Sequence, residues 1–146
     1  MSFNKYQLDE SLGYKLFHAS RLMSNRLNQN FKENDFNVTY EQWQILSRLY
    51  EQDGQTQNHL AQINERDQAS VSRLIDNLIK RGLVMRRPHQ TDRRINLIYL
   101  TEEGKRIQLG LENLALKTID EASFGISKQD LERTLAILDQ IRENLK

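Results

Sequence analysis

The sequence has no cysteine, one proline and six glycines in 146 residues. The missing cysteine excludes disulfide frameworks, thiolate metal sites, cysteine nucleophiles and thiol-based redox sensing together. So few breakers favour long helices over a strand-and-turn architecture. No run approaches the roughly 18 apolar residues that a membrane span needs. The opening Met1-Ser2-Phe3-Asn4-Lys5 leads into mixed polar sequence rather than the pattern of a secretory signal, so the expected setting is the cytoplasm, away from membranes. An excess of one charge is also lacking. Lys and Arg total 21 against 20 Asp and Glu, a net of +1 that taken alone speaks against a nucleic-acid partner. What is present is ordinary globular make-up, 38% hydrophobic and 28% charged, enough for one core without covalent or metal staples.

Periodicity predicts helices through most of the chain. From Leu8 to Phe31, residues Leu12, Leu16, Ala19, Met23 and Leu27 recur at steps of three or four, and Asn34-Asp35 ends the segment. Thr39-Tyr40-Glu41-Gln42 fits a capping box, opening a helix whose buried face is Trp43, Leu46, Leu49 and Tyr50 and which Asp53-Gly54 closes. Thr56 starts a third, short helix carrying Leu60, Ala61 and Ile63; a polar turn at Asn64-Glu65-Arg66 follows, and Asp67 caps a fourth. There Val71, Leu74, Ile75, Leu78 and Ile79 follow the helical template, and Gly82 stops it. The segments Leu83 to Arg87 and Ile95 to Leu100 change to strand-favouring residues and read as a hairpin with a polar loop from Pro88 to Arg94. Thr101 caps a fifth helix with an Ile107, Leu111, Leu114, Ala115 stripe, and Ser127 a sixth with Leu131, Leu135, Leu138, Ile141 and Leu145. The predicted class is mainly α (α+β).

The near-zero net charge hides an asymmetry. Residues 66–94 hold Arg66, Arg73, Lys80, Arg81, Arg86, Arg87, Arg93 and Arg94 against Asp67, Asp76 and Asp92, a local +5 that leaves −4 for the rest. A cationic block over a helix pair and a basic hairpin has the elements of a winged helix-turn-helix and the footprint expected for phosphate. On the fourth helix Gln68, Ala69, Ser72, Arg73 and Asp76 point away from the apolar face, the first four within the opening turns, where such proteins touch base edges. Gln pairs with adenine and Arg with guanine. Arg93 and Arg94 beside Asp92 suit a wing tip whose arginine enters a minor groove while the aspartate holds the loop. The competing reading is a solvated helix face and a solvated charged loop.

Several stretches in order carry a resemblance: Thr56-Gln57-Asn58-His59-Leu60-Ala61, Ser70 through Leu78 (SVSRLIDNL), Lys80-Arg81-Gly82-Leu83-Val84, Asp92-Arg93-Arg94 and Leu100-Thr101-Glu102-Glu103-Gly104. Through them the chain resembles the MarR family of bacterial transcriptional regulators. The resemblance implies a winged-helix homodimer whose first, fifth and sixth helices interlock. It also implies binding to a pseudopalindromic operator on double-stranded DNA, most often as a repressor, and release by a small aromatic or phenolic effector. By position it places Gln68, Ala69, Ser70, Ser72 and Arg73 in the major groove, with Asp92 and Arg94 shaping and supplying the minor-groove contact beside Arg93. It divides the single unit 1–146 into a winged-helix region, 36–101, and a dimerisation region, 1–35 with 102–146. His59 departs from the glutamate usual at that position and weakens the cap there.

The apolar faces near both ends independently exceed what one small winged domain covers, which points to an interface, with packing of the two end helices on each other as the alternative. An effector pocket in this family would draw on Tyr14, Phe17, His18 and Arg21 of the first helix and Trp43 of the second; plain core packing of the aromatics is the alternative. His18, His59 and His89 lack metal-site spacing, and no nucleotide, nucleophile or metalloprotease motif occurs, so neither metal, cofactor nor enzymatic activity is expected. The rival function is a winged-helix module that binds another protein without sequence-specific DNA binding.

Overall fold

The computed structural model describes residues 5–146. It places α1 at Leu12–Glu33, α2 at Tyr40–Glu51, α3 at Gln57–Ile63, α4 at Gln68–Lys80, α5 at Glu102–Arg106, α6 at Gln108–Ala122 and α7 at Lys128–Leu145. Three strands, β1 at Gln55–Thr56, β2 at Val84–Pro88 and β3 at Asn96–Leu100, form one antiparallel sheet in the order β1-β3-β2. This is a mainly helical fold with a small sheet, the winged-helix arrangement. No helix among the described residues is long and apolar enough to cross a membrane.

The helix starts follow the sequence closely, because each cap is a local hydrogen bond. The Thr39 hydroxyl accepts the Gln42 amide at 3.4 Å and Gln42 Oε1 accepts the Thr39 amide at 3.1 Å, completing the capping box. Thr56, Asp67, Thr101 and Ser127 accept the amides of His59, Ser70, Gly104 and Asp130. With His59 in place of the longer glutamate carboxylate, Thr56 caps from one side only, through its hydroxyl.

Three expectations are corrected. The first helix begins at Leu12, not Leu8: Leu8–Glu10 forms a 3₁₀ turn and Ser11 caps α1 by accepting the Tyr14 amide. The fifth predicted helix is two segments. At Ile107 the backbone relaxes to ψ −2°, although Ile107 N still bonds Glu103 O and Leu111 N bonds Ile107 O, so the axis continues through the joint. The sheet has a third strand, with Gln55 opposite Ile98 and Thr56 opposite Leu97. Two residues are too short to show a period, so β1 left no signal in the sequence. Asp53 anchors it: one carboxylate oxygen accepts the amides of Gly54 and Leu100.

One hydrophobic core runs from the last turns of α1 to the start of α6. It includes Phe31, Leu46, Leu49, Ile75, Ile98 and Leu111, all at 1% exposure or less. Beyond it α1 and α6 are joined by polar groups. The buried Asn30 amide donates to Thr118 Oγ1 and Glu121 Oε1, both at 2.9 Å, while Arg26 donates to Glu121 Oε2 at 2.6 Å. These hydrogen bonds hold Glu121's carboxyl below the usual carboxylate range, Asn30 contributing most and the Arg26 guanidinium adding to it.

Among the described residues, every large apolar side chain left exposed except Ile95 lies outside residues 36–101. Leu12, Phe17 and Leu22 on α1, Leu109 and Leu116 on α6, and Phe124 in the α6–α7 turn are more than half exposed. Helix α7 buries no residue. The α1 stripe read from the sequence is real, but one chain covers only its C-terminal end.

Candidate nucleic-acid interface

The turn between α3 and α4 sets the direction of α4. Its Arg66 amide returns to the Ala61 carbonyl at 3.0 Å, and Glu65 takes φ +53°, a left-handed conformation at the corner. Asp67 then accepts the Ser70 amide at 2.7 Å and the Ser70 hydroxyl at 2.8 Å, which draws its carboxyl below the usual range. Arg73, one turn on, donates to the Ser70 hydroxyl at 3.3 Å. Gln68 donates through Nε2 to Asn58 Oδ1 at 2.9 Å, tying the first residue of α4 to α3. Gln68, Ala69 and Arg73 are exposed; Ser70 and Ser72 are half-buried on opposite flanks. The outward face of α4 is therefore centred on Ala69 and Arg73.

At the wing tip His89 Nδ1 accepts the amides of Thr91 and Asp92, at 3.1 and 3.3 Å. The backbone closes behind it, with Ile95 N bonded to Asp92 O and His89 N to Ile95 O. Asp92 Oδ1 accepts both the Arg94 amide, at 3.1 Å, and Arg94 Nε, at 3.0 Å, while Oδ2 takes Nη2 at 3.2 Å. The Arg94 side chain and backbone hold the Asp92 carboxyl low, the side chain contributing more. The clamp orients a guanidinium whose side chain is 90% exposed.

The cationic block divides in a way its tally did not show. Arg81 turns inward, donating to the Asn37 carbonyl and to Gln42 Oε1. Arg86 pairs with Asp76 and Gln57. Arg87 lies over the Tyr99 ring, 5.6 Å from its centroid. Among the described residues Arg66, Lys80 and Arg93 make no side-chain hydrogen bond or ion pair, so the cations available to a ligand are fewer than the local charge suggests. Asn58, Gln57 and the Asp76–Arg86 pair are the parts that sequence reasoning missed. Partners ten or more positions apart on different elements leave no spacing to read.

The five residues expected to line an effector pocket do not meet within one chain. Trp43 packs edge-on to Phe31, 6.0 Å between centroids, and lies 6.3 Å from Tyr50, against the core. The Tyr14 and His18 rings meet at a tilt, 5.6 Å between centroids, near the other end of α1. Tyr14 precedes Phe31 by 17 positions on one helix, about 25 Å of rise. Two cavities among the described residues lie elsewhere. One of about 160 Å³ between α1 and α6 is lined by Leu22, Met23, Arg26, Thr118, Glu121 and Ala122. Another of about 270 Å³ between α2 and α4 is lined by Gln42, Arg66, Ser70, Arg73, Leu74 and Asn77.

Comparison with known proteins agrees with this geometry. Residues 38–95, the span from the start of α2 to the wing, match the model of the MarR family. The chain is 27% identical over 117 residues to the uncharacterized HTH-type transcriptional regulator YybA of Bacillus subtilis, covering 80% of this chain and 78% of that one. Among solved structures it is similar to a probable transcriptional regulator from Pseudomonas aeruginosa, with a TM-score of 0.85, 26% identity, and coverage of 92% of this chain and 99% of that one. It also shares the fold of a MarR variant from E. coli complexed with operator DNA, with a TM-score of 0.84 at 20% identity over 94% of this chain and 99% of that one. These matches are to transcriptional regulators, not to enzymes.

Proposed function

We propose that the chain is a MarR-family winged helix-turn-helix transcriptional regulator, as its matches suggest, and that it represses transcription by gripping a pseudopalindromic operator as a homodimer. In this reading the opening turns of α4, with Gln68, Ala69, Ser70, Ser72 and Arg73, enter the major groove, and the wing carries Arg93 and Arg94 into the minor groove, shaped by Asp92. The observation that carries it is the wing-tip clamp: a carboxylate spends its oxygens on aiming an exposed arginine outward, beside an α4 whose first turns stand open. The operator complex of the E. coli fold neighbour supports the same use of the fold.

The exposed apolar faces of α1, α6 and α7 support the division into a winged-helix region, 36–101, and a dimerisation region, 1–35 with 102–146. A two-fold dimer would set two α4 helices about 34 to 36 Å apart, one duplex turn. Release by a small aromatic or phenolic effector is part of the reading. Tyr14, Phe17, His18 and Arg21 would line such a site together with surfaces that the second protomer supplies, because Trp43 packs on Phe31, which lies about 15 to 25 Å further along α1 than these four residues.

The test is selection of bound sequences from random duplexes, followed by titration in salt. An inverted repeat is expected. With 6 to 10 phosphate contacts, affinity for it should fall on the order of 10³ to 10⁵ between 50 and 200 mM salt. No enrichment, or a shallow salt dependence, would instead favour a module that binds another protein.

A further inference from the structure

Arg86 belongs to the basic stretch of the wing, yet its guanidinium faces inward. Nη2 donates to Asp76 Oδ1 on α4 at 2.9 Å and to Gln57 Oε1 at the start of α3 at 3.2 Å. Nε is buried without a partner among the described residues. The side chain is 29% exposed, against 55% for Asp76. One side chain on β2 therefore touches both helices of the helix-turn-helix.

Asp76 explains why such a contact is useful. It is the only acid between Gln68 and Lys80, and it stands on the exposed side of α4, three residues past Arg73. A bare carboxylate there would oppose the phosphates that flank a groove. Lys80, one turn further on, makes no ion pair with it. We propose that Arg86 is a positioning residue and not a phosphate contact: it neutralises Asp76 and ties the wing to α3 and α4, so that helix and wing read DNA as one rigid unit. This rests on the DNA-binding reading above.

The test is a double-mutant cycle on the full chain, with Arg86→Met, which keeps the apolar stem, Asp76→Asn, and both together. Each variant is titrated against the selected operator and a scrambled duplex at fixed salt. If Arg86 masks Asp76, Arg86→Met weakens operator binding about tenfold, and adding Asp76→Asn recovers most of the loss, whereas Asp76→Asn alone changes affinity by less than about threefold. If Arg86 touches phosphate, Asp76→Asn has the same effect in both backgrounds and rescues nothing, which overturns the proposal; so does an Arg86→Met that binds like wild type. Should Arg86→Met not fold, Asp76→Asn decides alone: a gain above about threefold means that Asp76 was never masked. A wild-type chain that binds no duplex fails the functional reading instead. The brace is then judged from thermal unfolding of the same variants, where strictly additive losses overturn it.

Discussion

Gln42 is a buried polar side chain on which the α2 start and α4 both depend, and replacing it with leucine tests that dependence. It is 4% exposed. Its Oε1 accepts the Thr39 amide at 3.1 Å and Arg81 Nη1 at 3.2 Å, and its Nε2 donates to Asn77 Oδ1 at 3.0 Å. Three hydrogen bonds at about 1 kcal/mol each amount to about 3 kcal/mol. Leucine recovers about 1 kcal/mol through its apolar burial, and Thr39 and Asn77, both exposed, regain water, so the net loss should be about 2 kcal/mol. For a chain of this length that corresponds to a fall of about 4 to 8 °C in Tm. Gln42→Glu keeps both acceptor roles and should cost about 1 kcal/mol or less. The assay is thermal unfolding by circular dichroism at two chain concentrations, since a dimer's midpoint moves with concentration. A leucine variant within about 0.5 kcal/mol of wild type, or a glutamate variant as damaged as the leucine one, would refute the account.

Other perturbations reach different parts of the molecule. A Cβ on Gly104 would press into the backbone carbonyl of Leu83, which cannot swing aside, so Gly104→Ala should destabilise by about 3 kcal/mol in a denaturant titration. Glu65 holds φ +53° at the helix-turn-helix corner, and Glu65→Gly should raise stability by about 1 kcal/mol in the same experiment. Glu121 has a folded-state pKa depressed by Asn30 and Arg26, so its contribution is present above the unfolded value, about pH 4.3, and is lost as pH falls through the lower folded value. Tm measured against pH should drop in that acid window, and Asn30→Ala should make the drop shallower. Arg94→Ala should weaken operator binding and relax the preference for a narrow A/T minor groove in a binding selection; unchanged affinity across a salt series would remove the wing from the model of binding.

The legible parts of this chain were those set by near neighbours. The capping box at Thr39, the Asp67 cap and the stripe from Val71 to Ile79 are all decided within a few residues, and all stand in the structure. The strand β1 was not legible, because its two residues owe their conformation to β3 some forty positions away and to Asp53 bonding Leu100. The 3₁₀ turn before α1 shows the same limit at a helix end, since the apolar period continues through Leu8 while the Ser11 hydroxyl stops the helix short of it.

Sequence alone determined the class of fold, the cationic stretch from 66 to 94, and the apolar stripes that one domain cannot cover, because propensity, capping and amphipathic period are local properties. The tertiary structure decided how that charge is used. Arg81 and Arg86, equal to their neighbours in any tally, are turned inward by Asn37, Gln42, Asp76 and Gln57, while Arg94 is aimed outward by Asp92. It also separated Trp43 from the aromatic end of α1, since a rigid helix keeps side chains 17 positions apart however similar their chemistry. A charge acts through what lies within a few ångströms of it, and residues distant in the chain supply those neighbours.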